Sequence, residues 1–202
     1  MNKTPWDHAG AAESIDTYWR TSPLEIEWRS KLKACLKESK IDLTGHVLDA
    51  GCGTGLIYEM LIELGMKPEA YCGIDHSEAM LALARWRHKE AVFMQCPVDE
   101  GEIVPEDYRF DTTLCISVLQ HMKSYENAIR TLVDVTRSTL YIATWLHNAP
   151  DVIRFDGTYY ENTYSVTRML AFVSSCSKRV MCADCKMLFM QNGIIVVRMK
   201  DA

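Results

Sequence analysis

The chain has 202 residues, 48% hydrophobic and 24% charged, with a net charge of −5. That is enough chain for one domain with a real core. No apolar run is long enough to cross a bilayer, and an acidic balance without clustered Lys and Arg disfavours a nucleic-acid partner.

Residues 1–10 are polar and lack the apolar stretch of a signal peptide, which predicts cytoplasm. The eight cysteines then read as free thiols. Residues 1–21 carry Trp6, Tyr18 and Trp19 among polar side chains. Ser22-Pro23-Leu24-Glu25 is a helix start: Ser as cap, Pro at the first position, Glu reaching back. Leu24, Trp28, Leu32 and Leu36 follow at i, i+4 spacing, so the helix lasts to about residue 40 and lays one stripe on a sheet. Residues 42–46 are a loop. Val47-Leu48 then opens a strand that ends in Asp49 and in three glycines at alternate positions, Gly51, Gly53 and Gly55. Leu56, Met60, Leu61 and Leu64 recur at helical spacing after them.

Gly65-Met66-Lys67-Pro68 stops that helix. Residues 71–75 form a second strand ending in an acid, and Ser77 caps a helix carrying Met80, Leu81, Ala84 and His88. A third strand covers 91–96, followed by a polar loop through Pro97, Gly101 and Pro105. A fourth strand covers 110–117, a helix 125–137 with Ile129, Leu132 and Val133 buried, and a fifth strand 139–146. Residues 147–164 are a long polar and aromatic segment. Ser165 caps a helix over 166–175. The chain closes in a hairpin, 187–191 and 194–200, with Asn192-Gly193 as its two-residue turn. Cys52, Cys72, Cys96 and Cys115 lie in or beside strands, as small hydrophobes. Cys182-Ala183-Asp184-Cys185 lacks the two further ligands a zinc ion needs, so both thiols read as structural and no metal is expected.

Five short apolar strands alternating with helices imply a parallel sheet covered on both faces, in an α/β fold. Glycines in a strand-to-helix turn let the backbone lie flat against a ligand, and the amides at the helix start face it. The dinucleotide fingerprint G-x-G-x-x-G is one user of such a turn. Here the third glycine comes one position early, and Leu56 stands where that fingerprint expects glycine. No P-loop Gly-Lys-Ser/Thr follows. A tight turn with no ligand at all is the structural alternative. Asp75 ends its strand 24 residues after Gly51, close to the spacing at which an acid meets ribose hydroxyls.

The run Asp49-Ala50-Gly51-Cys52-Gly53-Thr54-Gly55 resembles motif I, D-x-G-x-G-x-G, of class I S-adenosylmethionine-dependent methyltransferases. Tyr71 to Leu81 is similar to their motif II, G-x-D-x-S-x-x-M-L. Asp111 to Met122 is similar to motif IV and the helix after it, F-D-x-V-x-x-x-x-V-L-x-H. The resemblance covers about residues 44–146, and the terminal hairpin also fits. It implies a Rossmann-like fold with a mostly parallel seven-stranded sheet, a C-terminal antiparallel hairpin and helices on both faces. The whole of 1–202 is then one S-adenosylmethionine-binding domain, with 1–43 a helical cap and 147–164 an acceptor lid. By this match Asp49, Ala50, Gly51, Cys52 and Gly53 cradle the cofactor and Asp75 holds its ribose. His76 lies along the adenine, and the carbonyls of Cys115 and Ile116 face the cofactor. The Gly-Asp-Ala that usually follows the third strand is replaced by Cys96-Pro97-Val98, so the adenine amino group loses its acid. The Val98 amide beside Pro97, or Asp99, is left to meet the ring. Arg137-Ser138-Thr139 stands where Pro-Gly-Gly often precedes the fifth strand.

Methyl transfer is an in-line displacement that asks for alignment and exclusion of water, and sometimes for a base. His121 is the first base candidate and His147 its rival. Tyr18 and Arg20 are the cofactor contacts expected from the cap, Arg20 as a partner for the cofactor's carboxylate. His147, Arg154, Tyr159, Tyr160 and Tyr164 of the lid suit a small polar acceptor, such as a sugar or other hydroxylated metabolite. The function expected is methyl transfer to an oxygen or nitrogen of such a metabolite, with S-adenosylhomocysteine as product. The rivals are a tRNA or protein methyltransferase and a non-catalytic cofactor-binding partner subunit. An apolar face serving a homodimer reads the same as core, so the oligomeric state stays open.

Overall fold

A computed structural model describes Trp6, residues 10–99, Ile103 and residues 109–200. Met1 to Pro5, and Gly101 and Pro105 of the expected polar loop, lie outside the described residues. Among the described residues eight strands follow one another: β1 Val47–Ala50, β2 Tyr71–Asp75, β3 Val92–Gln95, β4 Phe110–Ile116, β5 Thr136–His147, β6 Tyr164–Ser165, β7 Val180–Phe189 and β8 Asn192–Met199. They assemble in the order β3-β2-β1-β4-β5-β8-β7, with the short β6 pairing on β5. All pairings from β3 across to β5 are parallel; β8 is antiparallel to β5 and to β7. This is the expected sheet, parallel with an antiparallel hairpin at one side.

The helices are α1 Ala11–Thr21, α2 Pro23–Glu38, α3 Leu56–Glu63, α4 Glu78–Arg87, α5 Glu126–Val135 and α6 Val166–Cys176. Successive strand residues point to opposite faces, and both faces are buried. Leu48, Cys115 and Ile142 join a core with Leu132, Val133 and Met169 of α5 and α6. Their chain neighbours Val47, Leu114 and Tyr141 join a second core with Leu32, Leu61 and Leu81 of α2, α3 and α4. The near-continuous apolar strands reflect that double burial.

Local boundaries moved where tertiary contacts outweighed local signals. Residues 11–21, read as a polar and aromatic stretch, form α1. In α2 the buried stripe starts at Trp28; Leu24, in the first turn, is 53% exposed. Ser22 starts α2 without a side-chain capping bond, and its carbonyl instead accepts the first helical bond, from the Ile26 amide. The helix expected to reach residue 137 stops at Val135, because Thr136 already pairs with Phe110 of β4. The final hairpin turns at Met190-Gln191, with Met190 at φ 51 and Phe189 pairing with Asn192. Asn192-Gly193 is therefore not the turn. The pairing of β8 with β5 sets Asn192 opposite Trp145 and Gly193 opposite Thr144. A Cβ at Gly193 would lie 2.9 Å from side-chain atoms of Leu146 and Met187, so that glycine serves packing.

All eight cysteines are free, and Cys182 and Cys185 both sit within β7. No helix among the described residues is long and apolar enough to cross a membrane.

Candidate active site

β1 has β2 on one side and β4 on the other, so the strand order reverses there. In open α/β sheets such a reversal leaves a crevice beyond the strands' C-terminal ends. The glycine turn fills its floor. The amides of Gly51 and Cys52 donate to the Ile74 carbonyl (2.7 and 2.9 Å), tying the turn to β2. Gly51 has φ 79, and a Cβ on it would lie 2.2 Å from Cγ2 of Val118. Val118 is brought there by Ser117, a non-glycine residue at φ 58 just beyond β4. Strain of this kind clusters at functional sites. The motif I glycine thus gives room to the stretch that resembles motif IV.

Asp75 stands at the end of β2 and is largely buried. Its Oδ2 accepts from the Gly53 amide and its Oδ1 from the Ser77 amide, both at 2.9 Å. His76, exposed, places Nδ1 3.4 Å from the same Oδ1. Asp49 lies beneath the turn. The Tyr71 hydroxyl donates to its Oδ2 at 2.7 Å, while Oδ1 is buried with no hydrogen-bond partner among the described residues. Burial pushes this carboxyl up to about 7, against the opposing pull of the Tyr71 bond.

A network of charges holds α1 across the turn. Asp16, 1% exposed, accepts from the Thr54 hydroxyl (2.6 Å) and from Arg20 Nε (2.9 Å). Arg87, at the end of α4, brings Nη1 within 2.5 Å of it. Arg20 also grips Glu59 of α3 through both terminal nitrogens, at 2.9 and 2.6 Å. Desolvation pushes both acids up, yet the cations outweigh it. Arg87, Thr54 and Arg20 hold Asp16 below the usual carboxylate range, and His88 and Arg20 hold Glu59 at about 2. This latch sets Trp19 over the glycine turn, 3.3 Å from where a Cβ of Gly53 would be. Asp16→Ala strips a buried, charged partner from two half-buried arginines, a loss of about 2–3 kcal/mol. For a domain of this size that lowers Tm by roughly 5–10 °C. A thermal melt checks it; an unchanged Tm would show that α1 is not latched this way.

His121 lies in a short turn after β4. Its Nδ1 is 3.0 Å from the Tyr160 carbonyl, which only accepts, so Nδ1 carries the proton. Nε2 keeps its lone pair and faces the Gln120 amide nitrogen at 3.4 Å. Thr144 orients that amide by donating to its Oε1 at 2.9 Å. Burial lowers the His121 pKa from its ordinary 6.5, partly opposed by the Tyr160 bond, and so favours the neutral ring. Around it stand Trp6 at 5.3 Å, Tyr159 at 5.8 Å and Trp145 at 5.9 Å between ring centroids.

The expected residues fall into three groups. Gly51, Cys52, Gly53, Asp75, His76, His121 and Tyr159 converge on the crevice, with Asp49 and Ala50 buried beneath it and Cys115 and Ile116 ending β4 beside it. Pro97 and Val98 follow β3; Val98 is buried in the core and Asp99 is exposed. The remainder sit apart or are already engaged. Tyr18 is 55% exposed, Arg20 is held by Glu59 and Asp16, and Arg154 is exposed and engaged through its backbone. Tyr160 packs on Phe155, the two tilted rings 4.7 Å apart between centroids. Tyr164 is core: it is 1% exposed, and its hydroxyl donates to the Leu119 carbonyl at 2.9 Å. His147 ends β5 in register with Ser165, its Nε2 buried with no hydrogen-bond partner among the described residues. Trp145 was not anticipated at the site, although its place near the C-terminal end of β5 was a positional signal.

A doubly wound sheet with a glycine turn and a strand-end acid at its reversal point defines a nucleotide-type binding fold. Residues 47–139 match the family model described as a methyltransferase domain. A ubiquinone biosynthesis O-methyltransferase of Coxiella burnetii is 35% identical over 99 residues, a match covering 46% of this chain and 40% of that relative. Among solved structures, the Burkholderia thailandensis 1,6-didemethyltoxoflavin-N1-methyltransferase, with its acceptor and S-adenosylhomocysteine bound, superposes with TM-score 0.68 at 15% identity. It covers 94% of this chain and 87% of that one. The cyclase SpnF superposes with TM-score 0.68 at 15% identity, over 85% of this chain and 81% of its own. Over residues 47–139, just under half of its length, the chain matches a methyltransferase domain, and its fold is shared with these solved structures.

Proposed function

We propose that this protein binds S-adenosylmethionine over the glycine turn and transfers its methyl group to an oxygen or nitrogen of a small-molecule acceptor, leaving S-adenosylhomocysteine. The observation that carries this reading is the Asp75 carboxylate, fixed by the Gly53 and Ser77 amides at the mouth of the crevice. A carboxylate so held can still accept hydroxyl hydrogen bonds, two per oxygen being available, and the residues present therefore fit a ribose. The backbone of residues 49–53 would hold the cofactor's amino-acid end, His76 with Pro97 and the Val98 amide would hold the adenine, and the carbonyls of Cys115 and Ile116 would face the cofactor. Arg20 reaches the cofactor's carboxylate only by exchanging Glu59 for it.

The bound cofactor supplies an electrophilic methyl on a sulfonium. The protein's part is positioning, worth several kcal/mol. His121 accepts the acceptor's proton at Nε2 in place of the Gln120 contact, while its other proton stays on Nδ1, donated to the Tyr160 carbonyl. The residues of the crevice would hold the acceptor's oxygen or nitrogen in line with that methyl and exclude water. Tyr159 stands beside His121 over the crevice; His147 and the more distant Arg154, Tyr160 and Tyr164 shape the lid.

Calorimetric titration with S-adenosylmethionine, S-adenosylhomocysteine and NADH tests this. Both sulfur compounds should bind at micromolar level and NADH should not. Failure of both to bind a folded protein would overturn the reading. A neighbour named as a cyclase shares the fold, so methyl transfer is read separately, as S-adenosylhomocysteine released on turnover with an acceptor.

A further inference from the structure

His121 is held at both ring nitrogens, and the two partners constrain it differently. The Tyr160 carbonyl, 3.0 Å from Nδ1, can only accept, so Nδ1 is a donor in either charge state of the ring. Nε2 faces the side-chain amide of Gln120. A primary amide has a donating end and an accepting end. With its nitrogen toward the ring it meets a lone pair on Nε2, and the ring is neutral. With its oxygen toward the ring it meets an Nε2–H, and the ring, already carrying Nδ1–H, is a cation. The orientation of one amide is thus tied to the charge of His121. Gln120 and Thr144 are both buried. The Gln120 main chain is clamped by Asn162, whose backbone amide donates to its carbonyl at 2.8 Å. Asn162, buried as well, also donates from its side chain to the Met122 carbonyl at 2.7 Å, so the turn is fixed on both sides of His121.

We propose that Gln120 is a positioning residue for His121: aimed by Thr144, its amide nitrogen keeps the ring neutral, with the lone pair on Nε2, until an acceptor takes the place of that amide. The use of His121 as a base rests on the methyl-transfer reading above; its charge state in the free protein does not. Thr144 supplies the bias. Its hydroxyl donates to Gln120 Oε1 at 2.9 Å, the only hydrogen bond its side chain makes among the described residues. If the amide turned over, that hydroxyl would accept from the amide nitrogen, and its own proton would be left buried without a partner. An unsatisfied buried polar group is costly, so the hydroxyl holds the amide nitrogen toward His121. Burial of the ring acts in the same direction and lowers its pKa. Against these stand the Tyr160 carbonyl and the Glu161 carboxylate, which both favour the cation. The other neighbours of the ring, Trp6, Trp145 and Tyr159, bring no charge. The Tyr159 hydroxyl donates to Glu161 at 3.0 Å, and that bond pushes its pKa above the ordinary 10.

The test is an NMR titration of the full chain with its histidine ring nitrogens labelled, with and without saturating S-adenosylhomocysteine. At neutral pH the His121 ring should be uncharged with its proton on Nδ1, the less common tautomer of free histidine, and should titrate with a midpoint below 6.5. Gln120→Leu removes the amide donor and should raise that midpoint by about half a unit, the worth of one hydrogen bond. Thr144→Val removes the bias and should raise it by a similar amount, and Thr144→Ser should restore it. Gln120→Glu sets a carboxylate against Nε2 and should raise it most, by about one to three units. A residue that only packs would lower the melting temperature on substitution and leave the midpoint where it was. In the unaltered chain, a proton on Nε2 at neutral pH or a midpoint above 6.5 would overturn the proposal without any variant having to fold. An unmoved midpoint in folded Gln120→Leu and Gln120→Glu would overturn it equally. Failure of S-adenosylhomocysteine to bind would instead sink the cofactor reading, while the titration of the chain alone still decides for or against Gln120.

Discussion

Asp75→Ala is expected to weaken S-adenosylhomocysteine binding at least a hundredfold. The carboxylate has two tasks. It accepts from the Gly53 and Ser77 amides, and by proposal it accepts the ribose hydroxyls. Hydrogen bonds to a charged group contribute about 1.5–3 kcal/mol each, so losing two costs about 3–6 kcal/mol, and every 1.4 kcal/mol is a factor of ten. The substitution also frees the Gly53 amide, which loosens the turn. Asp75→Asn separates the two tasks: its amide oxygen keeps one accepting group and the shape of the side chain, so the loss should be nearer tenfold. Calorimetry reads both, with a thermal melt to confirm folding. Binding within threefold of the unaltered protein in Asp75→Ala would remove Asp75 from the cofactor site.

His121→Ala is expected to lower kcat by about 10²–10⁴, the usual worth of a positioned base, with S-adenosylhomocysteine affinity within a few-fold. The pH profile distinguishes a base from a wall. Burial holds the His121 pKa below 6.5, so the ring is already neutral at pH 7 and the acid limb of kcat/KM should fall below pH 6.5. In His121→Ala that limb should vanish. An acceptor whose hydroxyl is already ionised at pH 7 should recover most of the lost rate, since no proton then has to be removed. A loss of equal size with ionised and neutral acceptors would make His121 a packing residue. Stability follows the same sign. With its pKa lowered on folding, His121 binds its proton at higher pH in the unfolded chain, so its contribution falls as pH drops from 6.5 toward the folded value.

The strand-turn-helix at 47–64 was legible because every signal in it is local. Apolar residues, an acid, alternate glycines and a helical stripe lie within one supersecondary unit. Asp75 was legible for the same reason, being one strand and one helix away from the glycines, with Ser77 capping α4 at 3.4 Å. The hairpin was misplaced by two residues because Asn192-Gly193 is a strong turn signal in isolation. In the fold it competes with seven paired residues between β5 and β8, and the longer ladder prevails. Leu24 was assigned to the buried stripe by spacing alone, but it lies in the first turn of α2 and is exposed. Tyr164 looked like a lid residue by type and is instead packed at 4.8 Å against Tyr125 in the core.

The sequence by itself determined the sheet's parallel character, the glycine turn and the acid at the end of β2. Those features follow from periodicity and spacing over a few tens of residues, where chain geometry leaves few alternatives. The tertiary structure alone decided which side chains roof the crevice. Trp6 and Tyr159 are brought together across most of the chain, and Asp16 reaches Thr54 and Arg87 from a helix whose sequence reads as ordinary surface. Contacts of that range depend on where the sheet order reverses and how α1 is latched across it, and residue type carries no record of either.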